Sequence, residues 1–266
     1  MFIVPFTPIE PSSAAMTRLA PQITKLLVLD QALNEARGTL SENERQAQMA
    51  QEAQASNLIE QVVLHPLQYE DPRSENPSGL MTVFELTVPG IVSSSGLKLF
   101  HELAFEKGTP EHALCTQDPQ PGRLREQRIK VAHHVAPEPN ELESLLKKWD
   151  QFYAQPNSSL IQVLAGHHRL CWIHPFADGN GRAARYQLYR GLQALGLAQT
   201  WSPSSALLND IARYWQALSK ADQLRKGAYD GRGRLSEVGL VDYAVLMISV
   251  FIAEIERKLA LETHWV

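Results

Sequence analysis

Apolar residues recur at helical spacing along most of the chain. Between about Gln22 and Arg37, Ile23, Leu26, Leu29 and Leu33 fall on one face, and Gly38 supplies a stop, so the pattern predicts a helix there. Ser41 and Glu44 form a capping box that opens a second helix, polar through most of its length and apolar only at Leu58 and Ile59. Its far end must therefore meet a core. From Asn140 onward the same period returns in Leu142, Leu145, Leu146, Trp149 and Phe152, then over 160–172, 183–195, 207–218 and 238–259. The fold class that follows is mainly α.

Residues 70–96 are rich in Pro, Ser, Gly and Asn and read mostly as loop, with a short strand or helical turn around Val83 to Leu86. Leu97 to Phe105 predicts a short helix. The stretch PGRLREQRIKVAHHVAPEP sets β-branched residues between Pro-rich ends, which predicts a hairpin or extended flap.

Composition narrows the function classes. A net charge of -4 over 266 residues gives no basic footprint for a nucleic acid. Cys115 and Cys171 are too few for a disulfide framework and fit a reducing cytoplasm. The N-terminus lacks the features of a secretory signal, and the longest apolar run, Val245 to Ala253, is broken by Ser249 and falls short of the ~20 residues of a membrane helix. No membrane association is expected.

The candidate chemistry sits in His174-Pro-Phe-Ala-Asp-Gly-Asn-Gly-Arg-Ala-Ala-Arg185, between two predicted helices. Gly179 and Gly181 allow a turn that aims successive N–H groups inward, and the following helix brings its positive end to the same place. Arg182 and Arg185 share one face of the first turns, suited to a chain of phosphates. Asp178 is a hard oxygen ligand of the type Mg²⁺ uses, and Asn180 adds a neutral donor. His174 is the natural general base, since an imidazole near its ordinary pKa is largely neutral at pH 7. Phe176 is assigned as an apolar anchor. Any one of these residues alone is better explained as cap, core or solvated surface, but the whole set at this spacing arises by chance with a probability on the order of 10⁻⁷.

HPFADGNGRAAR resembles the signature of the Fic family, with every specified position filled, and KVAHHVAPEPNELESLLKKW and ARYWQAL are similar to the family's flanking segments. The resemblance implies a Fic-type helical bundle with a short β-hairpin flap over the active site, N-terminal helices over 1–69 and a catalytic core with C-terminal helices over 70–266. It implies a nucleotidyltransferase moving AMP from ATP to a Ser, Thr or Tyr hydroxyl of a target protein, with Mg²⁺ as cofactor. By that resemblance His174 is the base, Asp178 the metal ligand, and Gly179, Asn180 and Gly181 the anion hole. Arg182 and Arg185 hold the outer phosphates. Val131, Ala132, His133 and His134 line the nucleotide and align the target backbone, and Tyr214 and Trp215 pack near the base.

Ser56-Asn-Leu-Ile-Glu60-Gln61 resembles the inhibitory helix of one Fic subclass, here about 41–61, in which the glutamate pairs with the second arginine of the motif, Arg185. Gln61 departs from that pattern's final Gly or Asn. Self-modification is a further expectation, and a homodimer stays open. Two alternatives remain at this level: an enzyme that removes AMP through the same site, with Glu60 positioning a water, and a nucleotide-sensing module without transfer. The pairs His133-His134 and His167-His168 lack a cysteine pair or an HExxH frame, so structural roles are expected of them.

Overall fold

The computed structural model describes residues 13–70, 76–86, 90–131, 134–222 and 234–263. The fold is helical with a single short hairpin among these residues, as the periodicity predicts. At its centre lie α8 (Leu160–Ile173) and α9 (Asn180–Ala194), packed on one another and joined by residues 174–179. Nearly every residue of both helices is buried, the mark of core helices rather than amphipathic ones. α7 (Leu142–Tyr153) covers α8, presenting Leu142, Leu145, Leu146 and Trp149 at helical spacing, and the Trp149 indole donates to Gly166 O at 2.9 Å.

α1 (Ser13–Arg37) packs along α12 (Arg234–Thr263). It starts earlier than predicted and runs through Pro21. A proline removes one helical N–H bond. Leu19, fully buried, and the Arg18 to Asp242 ion pair at 2.6 Å hold the turns around it against α12. Among the described residues no helix is long and apolar enough to cross a membrane.

Two further elements depart from the sequence pattern. Residues read mostly as loop contain α4 (Gly79–Leu86), whose Leu80, Met81, Val83 and Phe84 are buried. Its first N–H, on Gly79, is capped by the Glu111 carboxylate at 2.8 Å, a partner too distant in sequence for a local pattern to reveal. The predicted helix over 207–218 is two helices, α10 (Pro203–Asn209) and α11 (Ile211–Asp222). Asp210 breaks them, because its carboxylate caps the Arg213 N–H at 3.3 Å and restarts the helix. α5 (Ser94–Ala104) and the one-turn α3 (Leu67–Glu70) and α6 (Pro110–Ala113) complete this side.

The hairpin pairs β1 (Lys130–Val131) with β2 (His134–Val135) antiparallel, Lys130 opposite Val135 and Val131 opposite His134. Ala132 and His133, expected to line a nucleotide, lie outside the described residues.

α2 (Glu42–Ile59) begins at the predicted capping box and docks on α10, α4 and α9. Its buried face is largely polar: Gln48, Glu52, Ser56 and Asn57 lie among Ala53, Ala55 and Ile59. Gln48 donates to Ala198 O and Trp201 O at 3.0 and 3.2 Å. Glu52, on α2, accepts from the Ser202 and Ser204 hydroxyls and from the Ser204 N–H, which ties α2 to the start of α10. Burial pushes the Glu52 carboxyl up against the opposing pull of these hydrogen bonds. Glu52→Ala leaves both hydroxyls and the N–H without their acceptor, so it should cost about 2–4 kcal/mol. Urea denaturation monitored by circular dichroism measures this, and a loss under about 0.5 kcal/mol, the level of an ordinary surface change, would contradict the buried network.

Candidate active site

The loop 174–179 joins the carbonyl end of α8 to the N–H end of α9. His174 caps α8 in the left-handed region, at φ 52° and ψ 60°, with its N–H on Leu170 O at 2.9 Å. Its Nδ1 lies 3.2 Å from Cys171 O. A carbonyl only accepts, so Nδ1 carries the hydrogen and Nε2 is left as the basic nitrogen. Burial pushes this imidazole down to about 4, against the raising effect of the Cys171 carbonyl and with help from His134 and Arg125.

The rest of the loop is held from several sides. The Asn180 side chain accepts from the Phe176 N–H and donates to the Phe176 carbonyl, both at 2.8 Å. Its amide is thus spent on loop geometry, and only its backbone N–H remains for an anion. Phe176 is buried and stacks on His101 with ring centroids 3.9 Å apart. His101 accepts the Gly122 N–H at Nδ1, which leaves Nε2–H to donate to Asp178 O, each at 3.0 Å. Burial holds this ring neutral, down to about 4. Gln117 donates to Ala177 O.

Gly179 opens α9 at φ 76°, and no side chain caps the helix start. A Cβ at this position would stand 2.4 Å from the Phe105 ring, so glycine is required by both backbone angle and space. The first N–H groups of α9 are therefore left for an anion. Asp178 sits beside them, accepting from the Thr116 N–H and hydroxyl at 2.9 Å each, and from the Gly179 N–H at 2.6 Å. Arg182 is buried with its guanidinium 4.5 Å over Phe105 and 3.6 Å from Asp178. Its Nε and Nη1 have no hydrogen-bond partner, although both are out of solvent. These two nitrogens carry three of the five guanidinium N–H bonds, all aimed where the protein supplies no acceptor.

Arg185, 2% exposed, has its acceptors in α2: Nε donates to Ser56 Oγ at 3.0 Å, and Nη2 to Ser56 O and to Glu60 Oε1 at 2.8 Å each. Burial pushes the Glu60 carboxyl up, but the Arg185 guanidinium prevails and holds it below its ordinary value. The carboxylate lies against the first turn of α9, where a Cβ on Gly181 would stand 2.1 Å from Oε1. Gln61, which follows, has φ 61°. That left-handed angle comes easily to Gly and Asn and less so to a glutamine.

The other predicted positions separate. Tyr214 is buried, its hydroxyl 3.1 Å from His167 Nε2, while His167 Nδ1 faces Ala184 O at 3.0 Å. Trp215 is 58% exposed. Val131 is exposed on the hairpin, and His134 is turned inward, Nε2 on Trp172 O at 2.7 Å. The sequence reading missed Thr116, His101 and Arg125. All three act on backbone or on the loop from far along the chain, and no spacing rule flags such residues.

Residues 92–190 match the family model described as Fic/DOC family. The chain is 29% identical over 105 residues to a protein adenylyltransferase Fic from Nematostella vectensis, covering 38% of this chain and 24% of that protein. It is 33% identical over 106 residues to the protein of the same name from Drosophila melanogaster, covering 38% and 21%. The matched part is thus about a quarter of these relatives' length. Among solved structures, a Fic family protein from Desulfovibrio desulfuricans G20 superposes with a TM-score of 0.67 at 18% identity, over 98% of this chain and 77% of that one. Fic-1 from C. elegans superposes at 0.65 and 16% identity, over 95% and 77%. The matched segment carries the whole loop between α8 and α9, so over residues 92–190 the chain is similar to the Fic/DOC family, and the superpositions show the same fold around it.

Proposed function

We propose that this protein transfers AMP from ATP onto a hydroxyl of a target protein, itself included, and that Glu60 restrains the reaction. The observation that carries this reading is an imidazole with a free Nε2 held next to an uncapped helix start that faces two buried guanidinium groups. His174 Nε2 takes the proton of the target hydroxyl. The oxygen then attacks the α-phosphorus, the bond to pyrophosphate breaks, and pyrophosphate leaves. The backbone N–H groups of Asn180, Gly181 and Arg182 and the unpartnered side of Arg182 receive phosphate oxygens. The exposed hairpin offers an edge on which a target segment adds as a strand. Cytoplasmic residence is part of the same proposal and rests on a sequence with only two cysteines, too few for a disulfide framework.

Among the described residues no three metal-binding side chains come together, while Asp178 offers a lone carboxylate at the cradle. That donor set suits a Mg²⁺ ion that arrives on the nucleotide, since Mg²⁺ takes one or two carboxylates and completes its shell with phosphate and water. Asp178 would hold it, and the ion would supply charge neutralisation on the phosphates.

Glu60 is ionised at neutral pH, because its folded pKa lies below the ordinary value, and the pair with Arg185 weakens only as pH falls through that range. A unit pair near 4 Å at an effective dielectric of 20 is worth about 4 kcal/mol before desolvation, and partial exposure of Glu60 discounts this to roughly 1–3. Glu60→Gly should therefore raise self-labelling from α-labelled ATP about 10- to 100-fold. Equal labelling of the two proteins would remove the restraint. His174→Ala in the Glu60→Gly protein should abolish transfer with ATP binding kept within about twofold by calorimetry; surviving transfer takes the base role away from His174. Finally, histidine ¹⁵N spectra should show the His174 ring neutral down to about pH 4–5, against about 6.5 for a free imidazole. Because the unfolded chain takes that proton first, stability should also fall as pH drops from about 6.5 towards 4. A His174 midpoint near 6.5 contradicts the buried neutral base.

A further inference from the structure

An α-helix leaves its last carbonyls without intrahelical donors. At the end of α8 the last three, and that of the capping His174, are each met by a side chain, and these side chains come from different places. Cys171 O receives His174 Nδ1, Trp172 O receives His134 Nε2 from β2, and Ile173 O and His174 O receive Arg125 Nη2 and Nε at 3.4 and 2.7 Å. Arg125 is 2% exposed. Its other bonds run to Gln127 O at 2.7 Å and Pro137 O at 2.6 Å, one just before the hairpin and one just after it. The Arg125 N–H also donates to Pro175 O at 2.9 Å, and Ala136 N closes the hairpin base on Ile129 O at 3.1 Å.

We infer that Arg125 is a positioning residue of the transfer step, locking the two feet of the hairpin and the backbone of His174 into one rigid unit. This rests on the reading of His174 as base and of the hairpin as the seat of the target. A target segment paired to the hairpin is carried on strands whose ends share a guanidinium with the His174 carbonyl. The separation between target hydroxyl and imidazole is therefore fixed through one planar fork. A cation is also favoured at the carbonyl end of a helix. Lysine keeps that charge but cannot serve four carbonyls in fork geometry. Displacement by about 1 Å of a reacting group costs up to roughly a hundredfold in rate.

The test uses Arg125→Lys and Arg125→Met in the Glu60→Gly protein, with two readouts. In nucleotide-free protein, amide exchange at Ala136 should accelerate at least tenfold while the amides of Met247 and Ile248 in α12 keep their protection. In the Met variant the His174 titration midpoint should rise only a little, because burial, its main cause, stays while one nearby positive charge is gone. In kinetics, kcat for self-modification should fall about 10- to 100-fold with the KM for ATP within about twofold. Unchanged Ala136 exchange in both variants overturns the lock, as does a lysine variant with unaltered kcat. If the methionine variant loses α12 protection, the lysine variant decides alone. If the Glu60→Gly protein transfers nothing, the proposed function fails, and exchange at Ala136 still judges the lock.

Discussion

The site depends on two helix ends with opposite needs meeting across residues 174–179. The end of α8 carries carbonyls that lack donors, and the start of α9 carries N–H groups that lack acceptors. The first need is met within the protein by Arg125, His134 and His174. The second is left open at a glycine start with no capping side chain. Satisfying the carbonyl end fixes the tautomer of His174, and leaving the N–H end unmet makes an anion cradle beside it. One loop thus leaves a neutral imidazole with an open Nε2 beside a row of open N–H groups, the pair that the proposed function uses as base and phosphate site.

α2 reaches this cradle by an unusual mode of docking. Its interior face carries Gln48, Glu52, Ser56 and Asn57, each bonded to another part of the chain, with Ala53, Ala55 and Ile59 packed among them. Polar contacts of this kind fix direction and register more than they add affinity, because water competes for the same groups when the surfaces part. The pose they fix sets Ser56 and Glu60 on Arg185 and puts a carboxylate against the first turn of α9. The other motif arginine, Arg182, keeps two guanidinium nitrogens, Nε and Nη1, without hydrogen-bond partners. The two arginines, alike in sequence, are therefore in different states: one is occupied from within and one is unsatisfied.

Much of this was legible along the chain. Hydrophobic period predicted the core helices, the capping box marked the start of α2, and glycine, arginine and histidine spacing marked the cradle. The helix over 79–86 was not legible, since its cap, Glu111, lies on another element. Asp210 concealed a helix boundary inside a continuous apolar period. The partners of the Asn180 amide and the Tyr214 hydroxyl, Phe176 and His167, were not legible either.

The sequence by itself determined the helical class, the loop that joins two helix ends and the chemical types gathered there, because periodicity and residue identity act over a few residues. Tertiary structure alone decided which nitrogen of His174 is free, which arginine Glu60 occupies and that Arg125 binds the hairpin to the loop. The first turns on a contact three residues back that the left-handed end of α8 sets up, and the other two on hydrogen bonds between residues far apart in the chain. Such a bond has directional geometry but no spacing, and spacing is all that a linear pattern records.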